Sequence, residues 1–86
     1  MAIIRYDKEW DQIKPATRQP KPGTNANRLI SALSIAPTRY SQLWRKAGFE
    51  RDPFARTDLR RCAKAGFIQR TLDPDGKELW SAKTAP

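Results

Sequence analysis

A proline-rich stretch divides this chain and limits what it can fold into. Residues 14–23 read KPATRQPKPG, with three prolines and one glycine in ten positions. Proline lacks the backbone N–H that a helix needs and disfavours helix at the residue before it, so we expect an extended, solvated linker there. We therefore expect residues 1–23 to form an N-terminal segment with this linker, residues 24–82 one small domain, and residues 83–86 a disordered tail.

The charge of the chain favours a polyanionic partner. Seventeen Lys and Arg against nine Asp and Glu give a formal net charge of +8. This sign favours nucleic acid over a membrane surface, although a basic domain kept soluble by its charge has the same composition. Residues 14–28 include basic side chains and no acidic one. Most of the positive charge therefore lies in the linker and the middle of the chain.

The side chains needed for most catalytic and metal sites are missing. The sequence has no histidine, which is the commonest general base and metal ligand, and one cysteine, Cys62, which cannot form an internal disulfide. Asp73, Asp75 and Gly76 follow part of a calcium-loop pattern, but the carboxylates required at its two ends are absent. We expect no enzyme activity, no metal and no cofactor, and a reducing, cytoplasmic location close to the nucleoid.

The N-terminal segment has a helical stripe of apolar side chains. Ile3, Tyr6, Trp10 and Ile13 are spaced by three, four and three residues, which places them on one helix face. A short strand over residues 2–6 is the alternative. We expect this stripe to contact a second copy of the chain or another protein, because little of the chain is left to cover it.

The rest of the sequence predicts three helices and a hairpin. Apolar spacing and cap residues predict helices over residues 26–35, 39–47 and about 53–65, with Asn25, Thr38 and Asp52 as N-caps. Two runs, residues 67–72 and 77–81, flank the turn sequence DPDG and predict a β-hairpin. The expected fold class is mainly α with a small β-hairpin.

This order of elements resembles a known family. Residues 29–80 contain RLISALS, then APTRYSQLWRKAGF, then DPFARTDLRRCAKAGFI and the hairpin. The pattern is similar to the winged helix-turn-helix family in its MarR and ArsR style. The resemblance implies a three-helix winged helix-turn-helix domain after an N-terminal arm, with the third helix as the recognition helix. The connection over residues 49–52 is longer and more charged than is usual in the family.

The resemblance and the charge pattern together predict a DNA-contacting surface. Arg56, Thr57 and Arg60 are expected to contact base edges in the major groove from the third helix. Arg70 and Lys77 would act from the wing, although its three acidic residues favour a purely structural wing equally. Phosphate contacts are expected from seven further residues, namely Thr38, Arg39, Gln42, Arg61, Lys64, Lys21 and Arg28.

Two functions follow from these predictions. The first is a small double-stranded-DNA-binding protein of prokaryotic or phage type that regulates transcription. The second is a protein-binding adaptor or inhibitor on a winged-helix scaffold, such as a phage-encoded modulator of a host protein, with an acidic protein as its partner. Phe54 stands at the start of the third helix, where it either packs on the preceding loop or contacts a thymine methyl group.

Overall fold

The computed structural model describes residues 8–83. Within this range the chain forms four helices and three strands. In chain order they are α1 Lys8–Gln12, α2 Asn25–Ser31, β1 Thr38–Arg39, α3 Tyr40–Lys46, α4 Arg56–Lys64, β2 Ile68–Leu72 and β3 Glu78–Ala82.

The predicted fold class is wrong, because the described part of the chain has a three-stranded antiparallel sheet and is a small α/β fold. The predicted hairpin is present as β2 and β3, and β1 pairs with the other edge of β3, with Thr38 opposite Trp80. A strand of two residues is too short to show the alternation by which strands are recognised. Thr38 after Pro37 also fits an N-cap pattern, although Arg39 is the residue that precedes α3.

Helices α2 and α4 differ from the predicted helices in their caps and bounds, because other residues than those predicted form the hydrogen bonds next to them. The hydroxyl of Thr24, not Asn25, caps α2 by accepting a hydrogen bond from the N–H of Asn27. This helix ends at Ser31, four residues before the predicted end. α4 begins at Arg56 rather than near Pro53, because Asp52 bonds within the preceding loop and does not cap the helix.

The core lies between the three longer helices and the sheet. Trp80, on the central strand β3, is fully buried together with one leucine from each of α2, α3 and α4, which are Leu29, Leu43 and Leu59. Cys62 is buried in the same cluster, and its burial raises the pKa of the thiol. Burial on this side of α4 turns its opposite side, with Arg56 and Thr57, toward solvent.

The stretch that was predicted as a solvated linker is partly attached to α4. The N–H of Ala16 donates a hydrogen bond of 3.0 Å to the carbonyl oxygen of Arg61. In return, Nε of Arg61 donates to the carbonyl oxygen of Lys14 at 3.3 Å. Proline prevents a helix here, but it leaves the carbonyl groups and the remaining N–H groups available for tertiary hydrogen bonds.

Candidate nucleic-acid interface

An open groove with a volume of about 820 Å³ lies between the hairpin and the beginnings of α3 and α4. Cationic side chains outnumber carboxylates along its walls, with five of the former and two of the latter. The charged side chains that line it are Arg39, Arg56, Arg60, Arg70, Lys77, Asp75 and Glu78. The groove is therefore electropositive, and several of the residues predicted to contact DNA meet in it.

Glu78 joins α4 to the hairpin. Its carboxylate accepts two hydrogen bonds of 2.8 Å from Nε and Nη2 of Arg60, and one of 2.6 Å from Nε of Arg70. The three side chains are only 12%, 20% and 10% exposed for Glu78, Arg60 and Arg70. Burial raises the pKa of Glu78, but the hydrogen bonds and positive charges of Arg60 and Arg70 outweigh it and hold the pKa below its ordinary value.

This ion-pair cluster changes the roles of two predicted site residues. The predicted base contact of Arg60 conflicts with its two-bond pairing to Glu78, because a guanidinium held this way cannot also present the same N–H groups to guanine. The predicted wing contact of Arg70 conflicts with its burial and its bond to the same carboxylate. Both arginines are paired with Glu78, and the wall they form is less positive than the sequence suggests.

Arg56 and Thr57 remain exposed in the first turn of α4. The guanidinium carbon of Arg56 lies 4.7 Å from the centroid of the Tyr40 ring, which is cation–π range. This contact orients Arg56 while leaving the side chain open to solvent. Thr57 lies one residue further along the same solvent-facing turn.

Hydrogen bonds among Tyr40, Asp52, Phe54 and Ala55, together called the bracket below, fix the loop in front of α4. The hydroxyl of Tyr40 donates to Oδ1 of Asp52 at 2.6 Å and accepts from the N–H of Ala55 at 3.0 Å. Oδ1 of Asp52 also accepts from the N–H of Phe54 at 2.7 Å. Phe54 is held at a φ of 53°, a left-handed conformation that costs a non-glycine residue about 1–3 kcal/mol.

The bracket stabilises the protonated form of Tyr40. Burial of the phenol and its hydrogen bond to Asp52 raise the pKa of Tyr40 to about 12. The hydrogen bond from Tyr40 is in turn the main cause that lowers the pKa of Asp52. The loop that precedes α4 is thus kept in place by a charge-assisted hydrogen bond between Tyr40 of α3 and Asp52 of the loop.

The residues predicted for phosphate contact from the second helix lie at the groove or next to it. Thr38 lies in β1, and its hydroxyl donates to the carbonyl oxygen of Ala36. Arg39 is half-exposed, with Nη2 at 3.4 Å from Oδ2 of Asp73, and Gln42 is exposed on α3. Lys77 is exposed at the tip of the hairpin.

Four other predicted phosphate contacts lie outside the groove lining. Nζ of Lys64 donates to the carbonyl oxygen of Asp11 at 3.5 Å, so Lys64 and Arg61 both face the N-terminal segment. Nη2 of Arg28 donates to the carbonyl oxygen of Ala47, and its guanidinium stacks on Phe49. Lys21 is exposed in the linker, away from the groove lining.

The predicted partner-binding stripe is only partly within the described residues. Ile3 and Tyr6 lie outside them. The ring of Trp10 is half-buried, with the guanidinium carbon of Arg70 at 4.4 Å and Nζ of Lys64 at 5.3 Å from its centroid. Trp10 therefore packs on cations of its own chain. Ile13, three residues further along, is half-buried.

Sequence reasoning missed the two polar clusters that shape this groove. It placed Asp52 at a helix cap and took the three acidic residues of the wing, of which Glu78 is one, only as a sign of a structural wing. Tyr40 is buried in the core, and no pattern in the sequence predicts the hydrogen bonds of its hydroxyl. Arg70 and Glu78 have opposite charges, and the register of the hairpin, with Arg70 opposite Trp80 and Leu72 opposite Glu78, makes them diagonal neighbours on β2 and β3. The contact between Tyr40 and Asp52 crosses a loop, and no spacing rule predicts it.

Comparisons of the chain with protein-family models, with curated proteins and with solved structures each find no match. In the described range, no group of three or more Cys, Asp or Glu side chains is arranged to hold a metal ion. None of the helices between residues 8 and 83 has the length and apolar character needed to cross a membrane. Function must therefore be argued from the groove itself.

The Glu78 cluster predicts an acid-sensitive fold. Because the pKa of Glu78 is lowered on folding, its stabilising contribution is present above the pKa of the unfolded chain and is lost as pH falls through the lower folded value. We expect Glu78→Gln to lower the free energy of unfolding by about 3 kcal/mol at pH 7. At pH 3 the difference between variant and parent should shrink, as measured by urea unfolding. An equal difference at both pH values would contradict the assignment.

The bracket predicts an unusual tyrosine titration. The sequence has two tyrosines, so a Tyr6→Phe variant leaves Tyr40 as the reporter. Its tyrosinate absorbance should appear with a midpoint near pH 12 while circular dichroism shows a folded chain, and Asp52→Ala should move the midpoint toward 10. Stability from Tyr40 is complete below about pH 10 and is lost as pH rises toward 12. A midpoint near 10 in the folded parent would contradict the bracket.

Proposed function

We propose that this chain is a small double-stranded-DNA-binding protein, a transcriptional regulator, that inserts the first turns of α4 into the major groove. The observation that carries the proposal is the exposure of Arg56 and Thr57 at the start of α4, on the edge of an electropositive groove. Charged side chains on the opposite wall reach the same opening from the hairpin.

The dimensions of α4 are compatible with this role. An α-helix with its side chains is about 10–12 Å across, and the major groove of B-DNA is about 12 Å wide. The order of elements after the linker is helix, strand, helix, helix and two strands, which is compatible with the resemblance to the winged helix-turn-helix family. That resemblance remains a prediction.

Each exposed residue has a definite role in the proposal. Arg56 donates its guanidinium to O6 and N7 of a guanine, and Thr57 offers a hydroxyl or methyl group to the next base. Arg39, Gln42 and Lys77 contact phosphates on either side. Arg60 and Arg70 take no part in base reading, because Glu78 holds them; they fix the angle between α4 and the hairpin instead.

A salt titration and a binding selection test the proposal together. Each phosphate neutralised contributes about −0.9 to the slope of log K against log salt, so contacts by Arg39 and Lys77 should each account for about one unit. The double variant Arg56→Ala, Thr57→Ala should lose sequence preference by about 1–3 kcal/mol while it retains most of the slope. The measurements are fluorescence anisotropy on duplexes and selection from random 20-bp libraries (about two turns of DNA, to cover one site).

Arg45→Ala is the matched control. Arg45 is exposed on α3 and stacks on Trp44 outside the groove lining, so this variant loses the same charge elsewhere. It should bind duplexes with the parent's sequence preference and nearly the parent's slope. If the Arg56 and Thr57 variant binds as the parent does, or if the parent shows no salt-dependent binding to duplex DNA, the proposal is wrong.

A further inference from the structure

Phe54 is a large apolar side chain held in solvent. It is 88% exposed, more than any other large hydrophobic residue in the described range. This exposure excludes the predicted alternative in which Phe54 packs against its own loop. An aromatic ring so placed removes little apolar surface from water in the free protein, so it contributes little to the stability of the fold.

The backbone around Phe54 is fixed rather than loose. The carboxylate of Asp52 accepts a hydrogen bond from the N–H of Phe54. The hydroxyl of Tyr40 donates to Asp52 and accepts from the N–H of Ala55. A left-handed φ is seldom adopted by a phenylalanine, whereas glycine or asparagine adopts it readily. The fold therefore aims a bulky ring outward from a strained position at the entrance to α4.

We propose that Phe54 is a specificity-determining residue that contacts the 5-methyl group of thymine in the major groove. This inference rests on the proposed function and deepens it by naming the base feature that is read. The thymine methyl is the apolar group on the major-groove edges of the base pairs, and phenylalanine is one of the side chains that contact it. Because Phe54 stands two residues before Arg56, the methyl lies next to the guanine that Arg56 reads.

Charge around the ring favours DNA over a protein partner. Arg51 and Arg56, both exposed, flank Phe54 in the sequence, and charged residues are depleted at the centres of protein interfaces. A stable protein interface also needs about 800 Å² from each partner, several times the area of one aromatic side chain. Wedge residues that unstack bases enter from the minor groove, on the other side of the duplex from the proposed position of α4.

The test compares two libraries of random 20-bp duplexes (about two helical turns, as before), one made with thymidine and one with deoxyuridine, which lacks the methyl group. The parent protein should select thymine at one or two positions in the first library and show no such preference in the second. On the best duplex, replacing each contacted thymine by deoxyuridine should weaken binding roughly fourfold, the effect of one buried methyl group.

Two variants remove the aromatic ring while keeping the backbone conformation of the loop. Phe54→Gly and Phe54→Asn both tolerate the left-handed backbone, so the loop is expected to keep its shape without the ring. They should bind thymidine and deoxyuridine duplexes equally, with the parent's salt slope. Ile35→Ala, which removes an apolar side chain that is 71% exposed elsewhere, should discriminate as the parent does.

The possible failures are distinguishable. If the parent binds duplex DNA with the expected salt slope but does not discriminate thymine from deoxyuridine, the role of Phe54 is wrong and the proposed function stands. Discrimination that persists in Phe54→Gly also overturns the role of Phe54. If the parent binds no duplex DNA, both proposals are overturned.

Discussion

The carboxylate of Glu78 accepts hydrogen bonds from arginines of two different elements, and the geometry of the groove depends on this interaction. Arg60 comes from α4 and Arg70 from β2, while Glu78 begins β3. The Glu78 carboxylate has little exposure, so its charge must be compensated by cationic partners within hydrogen-bond distance. Arg60 and Arg70 supply that compensation from two elements, and this holds α4 and the hairpin at one relative position. The opening between them, and the direction in which the start of α4 points, follow from that position.

The chain uses its positive charge in several different ways, and net charge alone does not separate them. Some cations neutralise Glu78, and others stack on aromatic rings, as Arg28 does on Phe49. Arg61 and Lys64 donate to carbonyl groups of the N-terminal segment. What is left for a polyanion is a smaller set around the groove, in which Arg56 and Lys77 are exposed.

Local sequence patterns predicted the elements whose signals are local. The hairpin was predicted because its turn residues and flanking apolar runs lie together, and α4 because of its regular apolar stripe. The strand β1 was missed because two residues carry no periodicity and its partner, Trp80, is far along the chain. The start of α4 was misplaced because Asp52 and Pro53 fit a cap pattern, whereas the carboxylate of Asp52 accepts a hydrogen bond from Tyr40, which is distant in sequence.

The same limit applies to the site residues: local spacing predicted which side chains of α4 are exposed, but not which of them have tertiary partners. Helical spacing correctly indicated that Arg56 and Thr57 are exposed on α4. The same spacing gave Arg60 an equivalent role, since it cannot reveal that a carboxylate on the hairpin reaches that turn. For Phe54 the sequence left two positions open, against the loop or toward DNA, and the left-handed backbone that turns the ring outward is one that the residue type does not predict.

A titration of ¹⁵N-labelled protein with duplex DNA, followed by NMR, tests the central claim most directly. Amide shifts should concentrate at the start of α4, around Arg56 and Thr57, and at the groove walls near Arg39 and Lys77. Shifts that instead centre on the outer surface near Arg28 and Arg45, with the start of α4 unchanged, would contradict the account.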